Sequence, residues 1–213
     1  MSEMHVNSNR RLNAKKAQRG FSVIELLVVI ALILVVSAMA MIQIAPIMAD
    51  SKMDSSMRQV IDQLRQGREY AIANRRFVKV TFPTAVVGGV TRYQVVLTQM
   101  NTLTTGAGGI NPVLSTLIIQ SPAQFAQLGG PDTPDAYGHS AAIVFEGVSG
   151  GPVGGMFFES DGELVDGNTF QPINGTVFLG VPGKTSSARA ITVLGTTGRI
   201  RGWKGTGTLW SQF

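Results

Sequence analysis

From Leu26 to Ala49 the chain has no ionisable side chain, and a basic segment comes directly before this apolar run. The run exceeds the roughly 20 residues that carry a helix across a bilayer, so it is expected to enter a membrane. Residues 1–20 hold Arg10, Arg11, Lys15, Lys16 and Arg19 against Glu3, a net of +4 within a total of +5. Positive flanks stay cytoplasmic, which predicts an N-terminal leader in the cytoplasm and a body on the opposite side. The remainder is nearly neutral, so the sequence pI of 9.9 describes the leader and does not argue for nucleic acid.

Glu25 interrupts the start of the apolar stretch Phe21-Ser22-Val23-Ile24-Glu25-Leu26-Leu27. A carboxylate inside a membrane helix costs about 3 kcal/mol on insertion scales and usually has a partner and a function. Cutting the chain after Gly20 would give Phe21 a new α-ammonium, mostly charged at neutral pH. Docked on Glu25 of a neighbouring chain, it would form an ion pair that is strong when both charges are desolvated together. An ordinary secretory signal, cut after Ala38-Met39-Ala40 to start the protein at Met41, is the competing reading. Glu25 within the apolar segment, and apolar sequence running on past that site, count against it.

The basic leader, Gly20, Phe21, Ser22, Glu25 and the Leu/Val/Ile-rich continuation resemble the class III signal of type IV prepilins and type II secretion pseudopilins. The resemblance implies that a prepilin peptidase cuts between Gly20 and Phe21 and methylates the new amino group.

Pro46 sits where a continuing helix would lose one hydrogen bond and kink. Beyond it, Met53, Met57, Val60, Ile61, Leu64, Ala71 and Ile72 follow the three-and-four spacing of one helix face, with Asp54, Arg58, Asp62, Arg65 and Glu69 elsewhere. This spacing predicts helix to about Asn74, a rod of roughly 80 Å from Phe21 at 1.5 Å per residue. Its first half, 21–49, is apolar all round, and its second, 50–74, carries one stripe suited to packing on its own domain.

From Phe77 the period changes to two. Residues 77–82 and 93–98 read as strands of a hairpin-like pair around Pro83 and Gly88-Gly89. Further strands are expected at 114–119, 142–145, 155–158, 175–179, 190–194 and 198–201. Residues 100–140 otherwise read as a long loop region rich in Gly, Pro, Thr, Asn and Gln. The expected fold class is α+β, a long N-terminal helix packed on one or two antiparallel sheets. The expected division is leader 1–20, helix 21–74 and β-rich domain 75–213. With no cysteine, disulfides and thiolate metal sites are excluded.

The order Phe158-Glu159-Ser160-Asp161-Gly162, Gly175-Thr176-Val177-Phe178-Leu179, Arg189-Ala190-Ile191-Thr192-Val193 and Thr197-Gly198-Arg199-Ile200-Arg201 resembles the GspH/FimT minor pseudopilin domain. That likeness implies a pilin-like structural subunit of a type II secretion pseudopilus or type IV pilus, held in the inner membrane with its domain in the periplasm. Its implied partners are other pilins or pseudopilins, prepilin peptidase and the assembly platform. Gly198-Arg199-Ile200-Arg201 also resembles the element associated with DNA capture in FimT-like minor pilins, so a DNA-binding subunit is the alternative. In a strand Arg199 and Arg201 share a face, with Lys204 as a further charge and Trp203 as a stacking surface. The competing account is a last hairpin turned by residues 195–198, with two solvated arginines.

Other motifs imply little chemistry. Gly180-Val181-Pro182-Gly183-Lys184-Thr185 imitates the end of a phosphate-binding loop, yet the required earlier glycine is Phe178 and strand follows where a helix is needed. A turn between strands is the better account. Asp161-Gly162-Glu163 and Asp166-Gly167-Asn168 gather oxygen ligands of the kind calcium prefers, but they are also ordinary turn sequences. His5 is in the leader, which leaves His139 as the single histidine of the body and no legible Ser/His/Asp set. The reading requires no cofactor and no enzyme.

Overall fold

The computed structural model describes residues 20–100, 111–146, 148–149 and 155–213. Leader residues 1–19 with His5, and residues 101–110 of the expected loop region, lie outside the described residues. By contacts the chain divides into two compact units, Met1–Ala45 and Pro46–Phe213. The boundary falls within one helix, α1 (Val23–Asn74), which runs unbroken through position 46.

Helix α1 begins after Ser22, whose carbonyl accepts the Leu26 N–H at 3.1 Å. In the first unit, every side chain from Val23 to Ala40 is exposed, and this segment is long and apolar enough to cross a membrane. In the second unit, α1 buries Met53, Met57, Val60, Ile61, Leu64 and Ala71 in the main core. Ile72 departs from the expected stripe at 40% exposed, lying beside Gly162 instead. Polar Ser56 and Gln63 share the buried face. The helix ends with Arg75 in the left-handed region at φ 50°. There the Arg76 N–H returns to the Ala71 carbonyl at 3.2 Å, the bond of a Schellman cap.

The β structure forms two antiparallel sheets, as expected. In the first, β1 (Phe77–Thr81) and β2 (Thr84–Val87) pair in succession with β3 (Val90–Met100), forming one long hairpin interrupted at Phe82-Pro83. Its two-residue turn is Gly88-Gly89, both at positive φ, the conformation that matches the twist of paired strands. Strand β4 (Val113–Ile118) lies on the far side of β3. In the second sheet, β5 (Gln124–Phe125) and β6 (Ile143–Phe145) pair with one edge of β10 (Gly175–Val181), and β7 (Val148–Ser149) pairs with β6. Strands β8 (Met156–Phe158) and β9 (Leu164–Asp166) complete the first sheet beside β1. Strands β11 (Lys184–Leu194), β12 (Arg199–Gly205) and β13 (Trp210–Gln212) complete the second.

Both sheets meet α1 in one core that joins Val80, Val95 and Leu97 of the first sheet to Val177, Leu179, Ile191 and Ile200 of the second. Gly67 permits the close approach to the first sheet, since a Cβ there would stand 3.0 Å from a Leu97 methyl. The described part of residues 120–140 is mostly irregular but belongs to the domain. Asp135 and His139 contact the face of the second sheet opposite α1, at Thr192 and Phe178.

Candidate functional site

The N-terminal junction has simple geometry. Gly20 and Phe21 are exposed, Phe21 to 81%. A Cβ at Gly20 would meet nothing within 4 Å, and its φ is not positive. Nothing in the fold itself therefore requires a glycine there. Ser22 occupies the N-cap position and Glu25 the third residue of the helix, the S-x-x-E order of a capping box. An acidic side chain in the first turn also opposes the positive end of the helix dipole. Glu25 is exposed, as are all its neighbours from Phe21 onward.

The cations near the last hairpins are arranged differently from the expectation. Residues 189–194 of β11 face residues 204–199 of β12 in unbroken register. Alternation then puts Arg199, Arg201 and Trp203 on one face and Ile200 and Lys204 on the other. Ile200 enters the core as expected. Lys204 does not extend an Arg199/Arg201 patch, because it reaches Asp54 of α1 at 3.5 Å from the opposite face. Trp203 is no exposed stacking surface. It is 6% exposed, packs with Phe178 and Ala190, and donates its indole N–H to Thr192 Oγ1 at 2.9 Å. Arg201 Nη1 donates to Asp135 Oδ1 at 2.9 Å, and the other oxygen of Asp135 accepts from the Thr192 hydroxyl. Arg199 is exposed in the strand that follows the short 3-10 turn at Gly195–Thr197.

Sequence reasoning missed the buried Arg189. Its side chain has no exposure, and its Nε donates to Asp54 Oδ1 at 2.6 Å. Nη1 donates to the carbonyls of Ser186 and Ala188. One turn earlier on α1, Asp50 pairs with Lys184 at 3.1 Å. The signal was present in the sequence, since Arg189 stands two residues before Ile191 and four before Val193, on the core-facing side of the strand.

The remaining motifs resolve into turns. Val181 pairs with Lys184 across Pro182-Gly183, a tight hairpin with Gly183 at φ 79°, and strand β11 follows. Asp161 Oδ1 accepts the Glu163 N–H and Asp166 Oδ1 the Asn168 N–H, so each carboxylate closes its own turn. Among the described residues, no three His, Cys, Asp or Glu side chains converge as metal ligands do. Glu159 lies half-buried between β8 and its turn. Burial first, then the charges of Asp161 and Glu163, push its carboxyl above its ordinary value of 4.5.

Among solved structures, the minor pseudopilin EpsH from the Type 2 Secretion System of Vibrio cholerae is similar at a TM-score of 0.44 and 14% identity, over 72% of this chain and 97% of that one. No curated protein matches the chain. Residues 15–41 match the family model described as the prokaryotic N-terminal methylation motif, so the Gly20-Phe21 junction and the start of α1 lie within a recognised methylation signal.

Proposed function

We infer that the chain is a pilin-type structural subunit, a minor pseudopilin or pilin, rooted in the inner membrane by the first half of α1 with its sheet domain on the periplasmic side. The methylation motif at residues 15–41 carries the reading. It coincides with an accessible glycine that the fold does not need and with an apolar helix that finds no cover among the described residues of its own unit. Prepilin peptidase would cut between Gly20 and Phe21 and methylate the new amine. The helices of neighbouring pilins would then cover the apolar surface, with the Phe21 ammonium of one subunit on Glu25 of the next.

Intact-mass analysis tests the processing step. The mature protein is expected to begin at a methylated Phe21, and Gly20→Leu to leave the precursor uncut; a mature start at Met41 would refute the reading. Glu25 needs two substitutions, because the helix start and the neighbouring ammonium make different demands. Glutamine keeps the hydrogen-bonding capacity of a capping box but removes the charge. Glu25→Gln and Glu25→Ala are both expected to be inserted and cleaved yet to crosslink poorly to partner pilins. Full crosslinking by the glutamine variant would reduce Glu25 to a helix cap.

DNA capture at Arg199, Arg201 and Lys204 is the alternative and has a narrower basis. Arg201 and Lys204 already hold carboxylates, which leaves Arg199 as the exposed cation of the three. A shift assay comparing wild type with Arg199→Ala/Arg201→Ala over a salt series decides it. Each lost phosphate contact should lower the salt slope by about 0.7 to 0.9, and equal binding by the two proteins would remove this reading.

A further inference from the structure

A cavity of about 430 Å³ opens between α1 and the last two strands, lined among others by Arg58, Asp62 and Arg65 of the helix, Ile200 and Gly202 of β12, and Phe213. All lie in the second unit. Its floor is apolar, since Ile61 and Ile200 are buried beneath it. Gly202 sets the depth: a Cβ there would stand 2.9 Å from an Ile61 methyl and 3.4 Å from the Phe213 Cβ. Its rim is cationic. Arg58 rests on the Phe213 ring at 4.9 Å and has no carboxylate within ion-pairing distance among the described residues. Arg65 has only the exposed Asp62 at 3.8 Å, a surface pair of small worth.

The strand beside this groove has an open edge. Strand β13 faces β12 from Trp203 to Gly205, and the Phe213 N–H bonds the Gly202 carbonyl at 3.0 Å. Main-chain groups alternate sides along an antiparallel strand, so Ile200, two residues before Gly202, turns its N–H and C=O to this same edge. No strand lies against them there among the described residues.

We propose that this groove takes an extended acidic segment of a partner protein, which pairs its backbone with Ile200 and lays its carboxylates on Arg58 and Arg65. The rim selects for negative charge, and the open main-chain pair selects for a polypeptide. A nucleic acid would bring phosphate oxygens toward the Ile200 carbonyl and leave the N–H/C=O pair unmatched. The spacing also fits. Arg58 and Arg65 are two turns apart on α1, about 10 Å at 1.5 Å per residue. Carboxylates two and four residues apart on an extended chain stand about 7 and 13 Å apart, which brackets that distance. This surface goes beyond the assembly role proposed above, and its failure would leave leader cleavage at Gly20 unaffected.

The test uses the full chain in detergent micelles and an end-blocked fluorescent hexapeptide of alternating Glu and Val, with a Gln/Val hexapeptide as control. Anisotropy should show the acidic peptide binding at least tenfold tighter than the control, with the advantage shrinking at high salt. Arg58→Ala/Arg65→Ala, exposed positions whose variant fold is checked by circular dichroism, should bring the acidic peptide down to the control. Hydrogen exchange at the Ile200 amide should slow when the peptide is bound. The proposal is overturned by equal binding of the two peptides, by no binding of either, by binding that survives the double substitution, or by an Ile200 amide that stays unprotected. Tighter binding of a short oligothymidylate, lost in the same double variant, would also overturn it and assign the groove to nucleic acid.

Discussion

The two halves of α1 share one backbone conformation but are solvated differently. From Val23 to Ala40 every side chain is exposed, whereas from Met53 to Ala71 the apolar face is sealed in a core. Backbone conformation is therefore not what separates the two halves. The second half gains its stability from tertiary burial, worth about 1.5–3 kcal/mol for each large apolar side chain. Among the described residues of its own unit the first half has no such partner, which leaves its apolar surface to lipid or to other chains. One helix can thus be read as a domain element at one end and as an interface at the other.

Electrostatics sharpens the comparison, because Asp50 and Asp54 lie one turn apart in the buried half and hold cations of opposite character. Arg189 has no exposure beside Asp54, while Lys184 and Asp50 are 33% and 44% exposed. Asp54→Ala strands a buried guanidinium and should destabilise the sheet unit by about 3–5 kcal/mol. Asp50→Ala breaks a surface pair worth about 0–1 kcal/mol. Urea unfolding of the two variants measures the gap, and similar losses would show that Arg189 finds other compensation.

A slightly smaller effect separates the halves directly. Leu64 is 3% exposed and Leu32 61%. Leu64→Ala should cost about 2–5 kcal/mol in unfolding of the sheet unit, by lost burial plus the cavity left behind. Leu32→Ala should move the same transition by less than about 0.5 kcal/mol, and its effect should appear in crosslinking to other subunits. Comparable shifts in unfolding would break the distinction.

Much of this was legible in the sequence, for physical reasons. The helix stripe, the β1–β3 hairpin and the strands near 143, 156, 175, 190 and 199 all carry a clear period, and Gly88-Gly89 is a strong turn signal. Strand β9 was missed because the Asp-Gly turns that flank it dominate its local composition, and β13 because Trp210 is its single apolar residue. Strand β2 follows a proline and is continuous with β1 only through its shared partner β3. At the candidate sites, Glu25 was visible as an anomaly in an apolar run and Gly20 as the glycine that ends the basic leader. The fates of Arg201 and Lys204 were not legible, because Asp135 and Asp54 reach them from 66 and 150 residues away in sequence. No local pattern announces a partner at that distance.

The smallest expected effect lies where the buried half of α1 nears its end, beside the β8–β9 turn. Arg68 Nε donates to the Gly162 carbonyl at 3.2 Å, and the turn carries Glu159, Asp161 and Glu163. Burial, with these neighbouring charges, raises the Glu159 carboxyl in the folded state above its ordinary value of 4.5. A raised acid favours its neutral form on folding, so its contribution to stability is fully present below the unfolded value and is lost as pH rises through the folded one. Glutamine cannot ionise and escapes that loss. Glu159→Gln should therefore match wild type in urea midpoint near pH 3.5 and exceed it slightly at pH 7, with the difference opening as pH rises past the ordinary carboxylate range. A midpoint difference of the same size at both values would show that the substitution acts through packing or the turn rather than through the crowded charge.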